Sequence, residues 1–312
     1  MKEDAQNNLV SVNERLKKML LQWLPRQNRI ATAIPGLFLS RRDSTDLVES
    51  CFYSPTVGIV AQGFKRSVIG NREYQYGEGY CVTVGVDMPS VNHIIDASPE
   101  KPFLALSIKL DRYLVTQLAA EVPSDPQSGN RTHGGVIVAA VTFDILDAFL
   151  RLLSLLDSPE RISVLAPMII REIHYHLLTG SQGDCLRLVS TLGTASNQIA
   201  QAISWLRENY REPLLISKLA NQVSMAESTF HRHFRQVTNL SPLRFQKRLR
   251  LYEAQRLMLA EGKDATTAAL HVGYESATQF NREYKRQFGA PPHRDVNRMR
   301  EAGIGVAGAV IL

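Results

Sequence analysis

Leu219-Ala220-Asn221-Gln222-Val223-Ser224-Met225, then Phe230-His231-Arg232-His233-Phe234, then Asn239-Leu240-Ser241-Pro242: this pattern occurs twice in the chain. The second occurrence is Ala268-Ala269-Leu270-His271-Val272-Gly273-Tyr274, then Phe280-Asn281-Arg282-Glu283-Tyr284, then Gly289-Ala290-Pro291-Pro292. The offset is 49 residues before the turn and 50 after it, so the second copy carries one extra turn residue. In each copy a small Ala precedes a turn residue by four positions, apolar residues flank that turn residue, and aromatics follow at i and i+4. Ala lets two helices cross closely, the turn favours Gly or a tolerant residue, and the aromatics seat a second helix. This is the grammar of a helix-turn-helix. Two copies are too few to bury the continuous core of a solenoid, the other architecture with such a period.

The paired unit resembles the DNA-binding domain of the AraC/XylS family of bacterial transcription regulators. The resemblance rests on Val272-Gly273-Tyr274-Glu275-Ser276, Gln279-Phe280-Asn281-Arg282-Glu283-Tyr284 and Phe288-Gly289-Ala290-Pro291-Pro292, and covers about a third of the chain. The first copy departs from the family pattern twice: Ser224 stands where Gly is usual, and Ala226 where an N-capping Ser is usual. A capping box displaced onto Ser224 and Glu227 is one way to restore the cap; a missing cap costs roughly 1 kcal/mol. Asn239 replaces Gly after the helix, which a left-handed position tolerates.

Phe230 and Phe234 mark the buried side of the first reading helix, which leaves Ser228, His231, Arg232 and Arg235 on one outward stripe. In the second, burial of Phe280 and Tyr284 turns Thr278, Gln279, Arg282 and Lys285 outward. Ser276 is placed to cap that helix, whose N-terminus suits a phosphate. Arg matches the paired acceptors of guanine and Gln the donor and acceptor of adenine in the major groove. Arg232 and Arg282, equivalent in the two copies, are therefore the first choice as base readers. Between the units a helix over 242–260, with Ser241 as cap and Gly262 beyond its end, spans roughly 28 Å. That approaches the ~34 Å between successive major-groove faces on one side of DNA. Lys247, Arg248 and Arg250 on this rod are candidates for the phosphate backbone, with solvated charge as the alternative.

Charge supports a polyanion partner for this third alone. Of the chain's 36 Lys and Arg and 30 Asp and Glu, 17 and 9 fall between Ser196 and Arg300, which leaves 19 and 21 elsewhere. The length of 312 residues suggests two domains. The chain has no apolar run of membrane-spanning length, and its first 25 residues lack the apolar centre of a signal peptide. Cys51, Cys81 and Cys185 are odd in number and widely spaced, as in a reduced, cytoplasmic protein; buried structural thiols are the first reading and a sensing thiol the alternative.

The front half reads as strands. After an amphipathic helix over 13–24, short β-branched and aromatic runs at 34–40, 57–62, 64–69, 73–76, 80–86, 91–95 and 103–109 are punctuated by Gly70-Asn71 and Gly77-Glu78-Gly79. They predict a small antiparallel barrel or sandwich. Gly58-Ile59-Val60-Ala61-Gln62-Gly63-Phe64-Lys65-Arg66, with Asp87-Met88-Pro89, is similar to the N-terminal domain of one AraC-type subfamily. The resemblance implies a cupin-like domain that binds an effector or supports dimerisation; the effector residues are unknown. A short helix over 111–121, a polar loop over 123–135 and a helical hairpin over 141–156 and 159–178 follow, and the hairpin is the expected dimer contact. One His in the strand region, His93, is too few for a metal-dependent cupin. His174 and His176, two apart on a helix, point away from each other. No Gly-rich phosphate loop or G-x-S-x-G occurs. No metal, cofactor or catalytic residue is assigned.

The expected fold class is α+β in two domains: an antiparallel, cupin-like barrel or sandwich with flanking helices over 1–180, and an all-α domain with two helix-turn-helix units over 198–296. Residues 181–197 form a linker and 297–312 a tail. The expected function is a sequence-specific regulator, an activator by resemblance, with double-stranded DNA, a second copy of itself, a small-molecule effector and RNA polymerase as candidate partners. The alternatives are a constitutive dimeric regulator without effector, a cupin-type enzyme tethered to DNA, and a non-specific architectural protein.

Overall fold

The computed structural model describes residues 2–26, 28–45, 48–122, 134–191 and 193–301. Helix α1 (Lys2–Trp23) leads into strands β1 (Asn28–Ala31), β2 (Leu37–Arg42), β3 (Val48–Tyr53), β4 (Thr56–Gln62), β5 (Phe64–Ile69), β6 (Arg72–Gly77), β7 (Tyr80–Val84), β8 (Met88–Asp96) and β9 (Phe103–Lys109). Then come α2 (Arg112–Glu121), β10 (Val136–Ala140), α3 (Phe143–Ser154), α4 (Ile162–Thr179) and α5 (Gly183–Ser190). The strands make two antiparallel sheets, ordered β1-β2-β9-β4-β7-β10 and β3-β8-β5-β6, that face each other as a sandwich rather than closing into a barrel.

Period-two alternation explains the layers. In β9, Leu104, Leu106 and Ile108 join the core beneath α1, α3 and α4, while Phe103, Ala105 and Ser107 face the second sheet. In β2, Leu37 and Leu39 point to the helices and Phe38, Ser40 and Arg42 point between the sheets. The larger sheet is thus buried on both sides, and each buried Leu contributes about 1.5–3 kcal/mol.

Strands β1, β3 and β10 lie outside the predicted runs. Residues 136–140 become a strand because they pair with β7, from Val136↔Val84 to Ala140↔Tyr80. The loop expected over 123–135 lies, to residue 133, outside the described residues. The hairpin's Leu152 and Leu153 are fully buried in the chain's own core, so they offer nothing to a second copy. The exposed apolar side chains of α4 are instead Val164, Leu165, Met168 and Tyr175. The expected linker is largely helical: α5 buries Cys185, Leu186 and Val189, and the Gln182 amide donates to Cys81 Sγ at 2.9 Å. Eight residues are too few for periodicity to reveal such a helix.

The C-terminal half is helical: α6 (Ala195–Glu208), α7 (Ile216–Gln222), α8 (Glu227–Thr238), α9 (Pro242–Ala260), α10 (Ala265–His271), α11 (Ala277–Phe288) and α12 (Pro292–Glu301). Helix α12 buries Val296 and Met299, so the first residues of the expected tail are structured; residues 302–312 lie outside the described residues. Helix α9 has the predicted bounds, with Ser241 Oγ accepting from the Arg244 amide. Among the described residues, no helix is long and apolar enough to cross a membrane.

The two halves share a core. Phe52, Ile69, Tyr76 and Met88 from the smaller sheet cluster with Phe230, Phe234, Phe245 and Tyr252. Gly135 N–H donates to Val237 O at 3.0 Å, Tyr252 Oη donates to Ser90 O at 3.0 Å, and Arg207 pairs with Asp87. At Gly70 (φ +64°) a Cβ would lie 2.2 Å from Thr238 O, so the contact requires glycine.

Candidate nucleic-acid interface

The repeated sequence folds into repeated geometry. Met225 N–H donates to Ala220 O at 2.9 Å, and Tyr274 N–H to Ala269 O at 3.0 Å. The turn residues between are left-handed, Ser224 at φ 55° and Gly273 at φ 88°. Only the second position demands glycine, since a Cβ there would sit 2.4 Å from Arg211 O. Asn239 (φ 56°) and Gly289 (φ 80°) end α8 and α11 in the same left-handed conformation.

The aromatic pairs Phe230/Phe234 and Phe280/Tyr284 are fully buried. Ser228, His231, Arg232 and Arg235 on α8 are exposed, as are Ser276, Thr278, Gln279, Arg282 and Lys285 on or beside α11. His231, Arg232, Arg235, Gln236 and Ser241 line a shallow depression. Both helices therefore present cationic and amide groups to solvent, the accessibility that contact with a duplex requires. The N-termini differ. Ser276 Oγ accepts from the Gln279 amide at 3.2 Å, whereas Ala226 caps nothing. The displaced capping box does not form, because Ser224 is consumed by the left-handed turn.

The three α9 cations expected to meet phosphate, Lys247, Arg248 and Arg250, have partners within the protein. The Arg250 guanidinium donates to the carbonyls of Tyr210, Arg211, Glu212 and Gly273 at 2.7–3.0 Å and so ties the two units together. Arg248 donates to Gly70 O across the domain boundary. Lys247 pairs at 2.8 Å with the buried Glu283, which also accepts from Tyr274 Oη at 2.9 Å. Burial works to raise the Glu283 carboxyl, but Lys247, Tyr274 and Gln279 together hold it below the usual range. In this arrangement the three cations are structural ties rather than groups directed at phosphate.

Between the sheets lies a cavity of about 80 Å³. Apolar walls come from Phe38, Ile59, Val82, Val84, Ile94 and Phe103, and polar ones include Arg29, Arg42, Glu49, Tyr53, Lys65 and Asn92. Arg42 pairs with Glu49. Lys65 Nζ donates to Tyr53 Oη at 3.0 Å, and Tyr53 in turn donates to Asn92 Oδ1 at 3.0 Å. Among the described residues, no carboxylate lies within ion-pair distance of Lys65. Burial works against its charge, but the Tyr53 and Tyr76 phenols outweigh it and the ammonium stays protonated. The sequence reading missed this group. The parity of β5, with Lys65, Ser67 and Ile69 on one face, is the signal that could have revealed it.

Burial pushes the Cys81 thiol up to about 11 and the Cys185 thiol up to about 12, and all three thiols are buried and free. His174 is a satisfied core histidine: Nε2 accepts from Asp111 N–H at 3.0 Å, and Nδ1 lies 2.7 Å from Ile170 O.

The pattern of the AraC-type transcriptional regulator N-terminus matches residues 33–185, and that of a helix-turn-helix domain matches residues 219–298. The chain is 28% identical over 136 residues to the HTH-type transcriptional activator RhaS of Pectobacterium carotovorum, covering 44% of this chain and 47% of that protein. It is 26% identical over 156 residues to the HTH-type transcriptional regulator ArgR of Pseudomonas aeruginosa, covering 50% and 46%. The chain thus spans about half the length of the curated relatives it matches. Among solved structures it is similar to ToxT of Vibrio cholerae, crystallised with an unsaturated fatty acid bound. The TM-score is 0.58 at 10% identity, over 83% of this chain and 94% of that one. A second ToxT structure, bound to (E)-4-(8-methylnaphthalen-1-yl)but-3-enoic acid, gives 0.57 at 9%, over 83% and 97%. At these identities the likeness is one of fold.

Proposed function

The chain belongs to the AraC/XylS family of transcription regulators, and on that premise we propose that it is a cytoplasmic activator reading two adjacent major grooves of one duplex. The observation that carries the reading is the pairing of Arg232 with Arg282. They are exposed at equivalent positions on α8 and α11, behind turns closed by the same backbone hydrogen bond to Ala220 O or Ala269 O, at the two ends of a 19-residue rod. These two guanidiniums read bases. Ser228, His231, Thr278 and Gln279 complete the base-facing surfaces, and Arg235, Lys285 and the Ser276-capped N-terminus of α11 hold phosphates.

The cavity between the sheets takes the effector. Its Lys65 ammonium, hydrogen-bonded to Tyr53 with no carboxylate within ion-pair distance among the described residues, and its apolar walls favour a small anion with an apolar body, such as a carboxylate. ToxT, whose fold is similar, was solved with ligands of that kind. A second copy packs on the exposed face of α4, where Val164 and Met168 are 65% and 64% exposed, and RNA polymerase is the further partner of an activator. The test is genome-wide mapping of bound DNA for the wild type and for Arg232→Ala and Arg282→Ala. Each substitution should relax one half of the recognised sequence, and an unchanged site preference in both would overturn the assignment. Light scattering on Met168→Glu tests the dimer face, since a mass equal to wild type refutes it.

A further inference from the structure

A buried carboxylate organises the second reading helix. Glu283 follows Gln279 by four residues on α11, so the two share one side of the helix, and helical side chains lean toward the N-terminus. The Glu283 carboxylate therefore lies back over the turn that carries Gln279, and Gln279 Nε2 donates to its Oε1 at 3.3 Å. The same oxygen accepts from Lys247 Nζ of α9 at 2.8 Å. The other oxygen, Oε2, accepts from Tyr274 Oη at 2.9 Å. Tyr274 is seated edge-on against Phe280, at 5.3 Å and 72°, and Arg250 donates to the neighbouring Gly273 carbonyl at 2.7 Å. The rod and the turn thus fix the carboxylate from two sides, while Gln279 is exposed on the outward stripe.

The charge decides which way the amide faces. An ionised carboxylate only accepts, so the NH2 end of Gln279 is the end turned toward Glu283. One N–H is committed there. The second N–H and the carbonyl oxygen remain, and these are the donor and acceptor that match adenine N7 and N6 in the major groove. Guanine presents two acceptors at the same edge and leaves the carbonyl unmatched. An exposed Gln that nothing holds gives up its rotamer freedom on binding, and its amide can turn over to present either end. The first unit is built differently. Met225, Thr229 and His233 stand where the second unit has Tyr274, Gln279 and Glu283, so the carboxylate and its anchors belong to one copy of the repeat.

We infer that Glu283 is a positioning residue for base recognition: anchored by Lys247 and Tyr274, it presents Gln279 in the amide orientation that selects adenine over guanine. The inference rests on the reading of Gln279 as a base contact. It adds what sets the preference of that contact, and why the second unit has the device and the first lacks it.

The test uses the full chain and has two readouts. In the free protein, side-chain amide NMR should show a restricted Gln279 NH2 group, and Glu283→Gln should lower its order parameter below about 0.6, the range of a flexible group. Competition binding at fixed salt then compares wild type, Gln279→Ala, Glu283→Gln and the double variant on a mapped site, with every base at the position that Gln279→Ala relaxes. Glu283→Gln should cut the preference for adenine over guanine by about threefold to tenfold, part of the worth of a bidentate contact. In the Gln279→Ala background it should change that preference no further. A residue that only supports the fold would instead weaken binding to all sequences alike, in both backgrounds, and that result overturns the inference. So does a Gln279 amide equally ordered with and without the carboxylate. Preference lost in Gln279→Ala but kept in Glu283→Gln overturns the inference alone. Preference kept in Gln279→Ala overturns the reading of Gln279 as a base contact, and the inference with it. Glu283→Asp keeps the charge but draws it back by one methylene; it is the arm to read should Glu283→Gln not fold, with the same direction expected.

Discussion

Ala226→Ser is predicted to stabilise the first helix-turn-helix unit by about 1 kcal/mol, the usual worth of an N-cap hydroxyl. The backbone is already set for it. Ala226 sits at φ −67°, ψ 145°, close to Ser241 (−75°, 153°) and Thr194 (−74°, 149°), whose hydroxyls cap α9 and α6. Position 226 is exposed, so the added oxygen meets no packed neighbour. The hydroxyl should accept from the Thr229 amide, as Ser276 accepts from Gln279. About 1 kcal/mol corresponds to a shift of roughly 1.5 °C in Tm for a chain of 312 residues. If the first turn opens locally, Thr229 exchange slows about fivefold. The assays are urea unfolding, where the midpoint should rise with m unchanged, and exchange at the start of α8. Ser276→Ala should lose a similar amount at α11, and the double variant should return near wild type because the two caps share no partners. An unchanged midpoint and unchanged Thr229 exchange in Ala226→Ser would refute the claim that α8 lacks only a cap.

Arg232→Ala and Arg282→Ala should each cost about 1–3 kcal/mol of discrimination at one base position, read by competition binding with single-base variants of a mapped site at fixed salt. Gly70→Ala, which drives a Cβ against Thr238 O and Met88 Cε at a left-handed position, should destabilise the fold by about 2 kcal/mol or more. Limited proteolysis should then release the helical half faster than in wild type. Burial holds His174 below its ordinary 6.5, and its Nε2 already accepts a backbone N–H, so the folded protein resists a proton that the unfolded chain accepts. Stability is therefore full above pH 6.5 and falls as pH drops through and below that value. Urea midpoints across this range should show the decline, and His174→Gln should flatten it.

Local rules carried the sequence reading where the structure obeys local rules. The two turns, the buried aromatic pairs, the left-handed Asn239 and Gly289 and both ends of α9 follow from spacing, capping and glycine chemistry within a few residues. The outward faces of α8 and α11 follow from the same helical period. The displaced cap failed because a single residue, Ser224, had two competing uses, and the turn took it.

Contacts between distant residues decided the rest. Strand β10 exists because β7 needs a neighbour, and α5 because Cys185 and Val189 find a surface. Arg248 and Arg250 read as surface charge until Gly70, Tyr210 and Gly273 are folded against them. The sequence by itself determined that this chain is an antiparallel β domain, barrel or sandwich, followed by two helix-turn-helix units, because strand alternation and helical period are local consequences of backbone geometry. Only the tertiary structure decided that the first unit shares the sandwich's core and that a cation waits between the sheets. Those facts depend on which strands become neighbours, and nearest-neighbour patterning does not encode that choice.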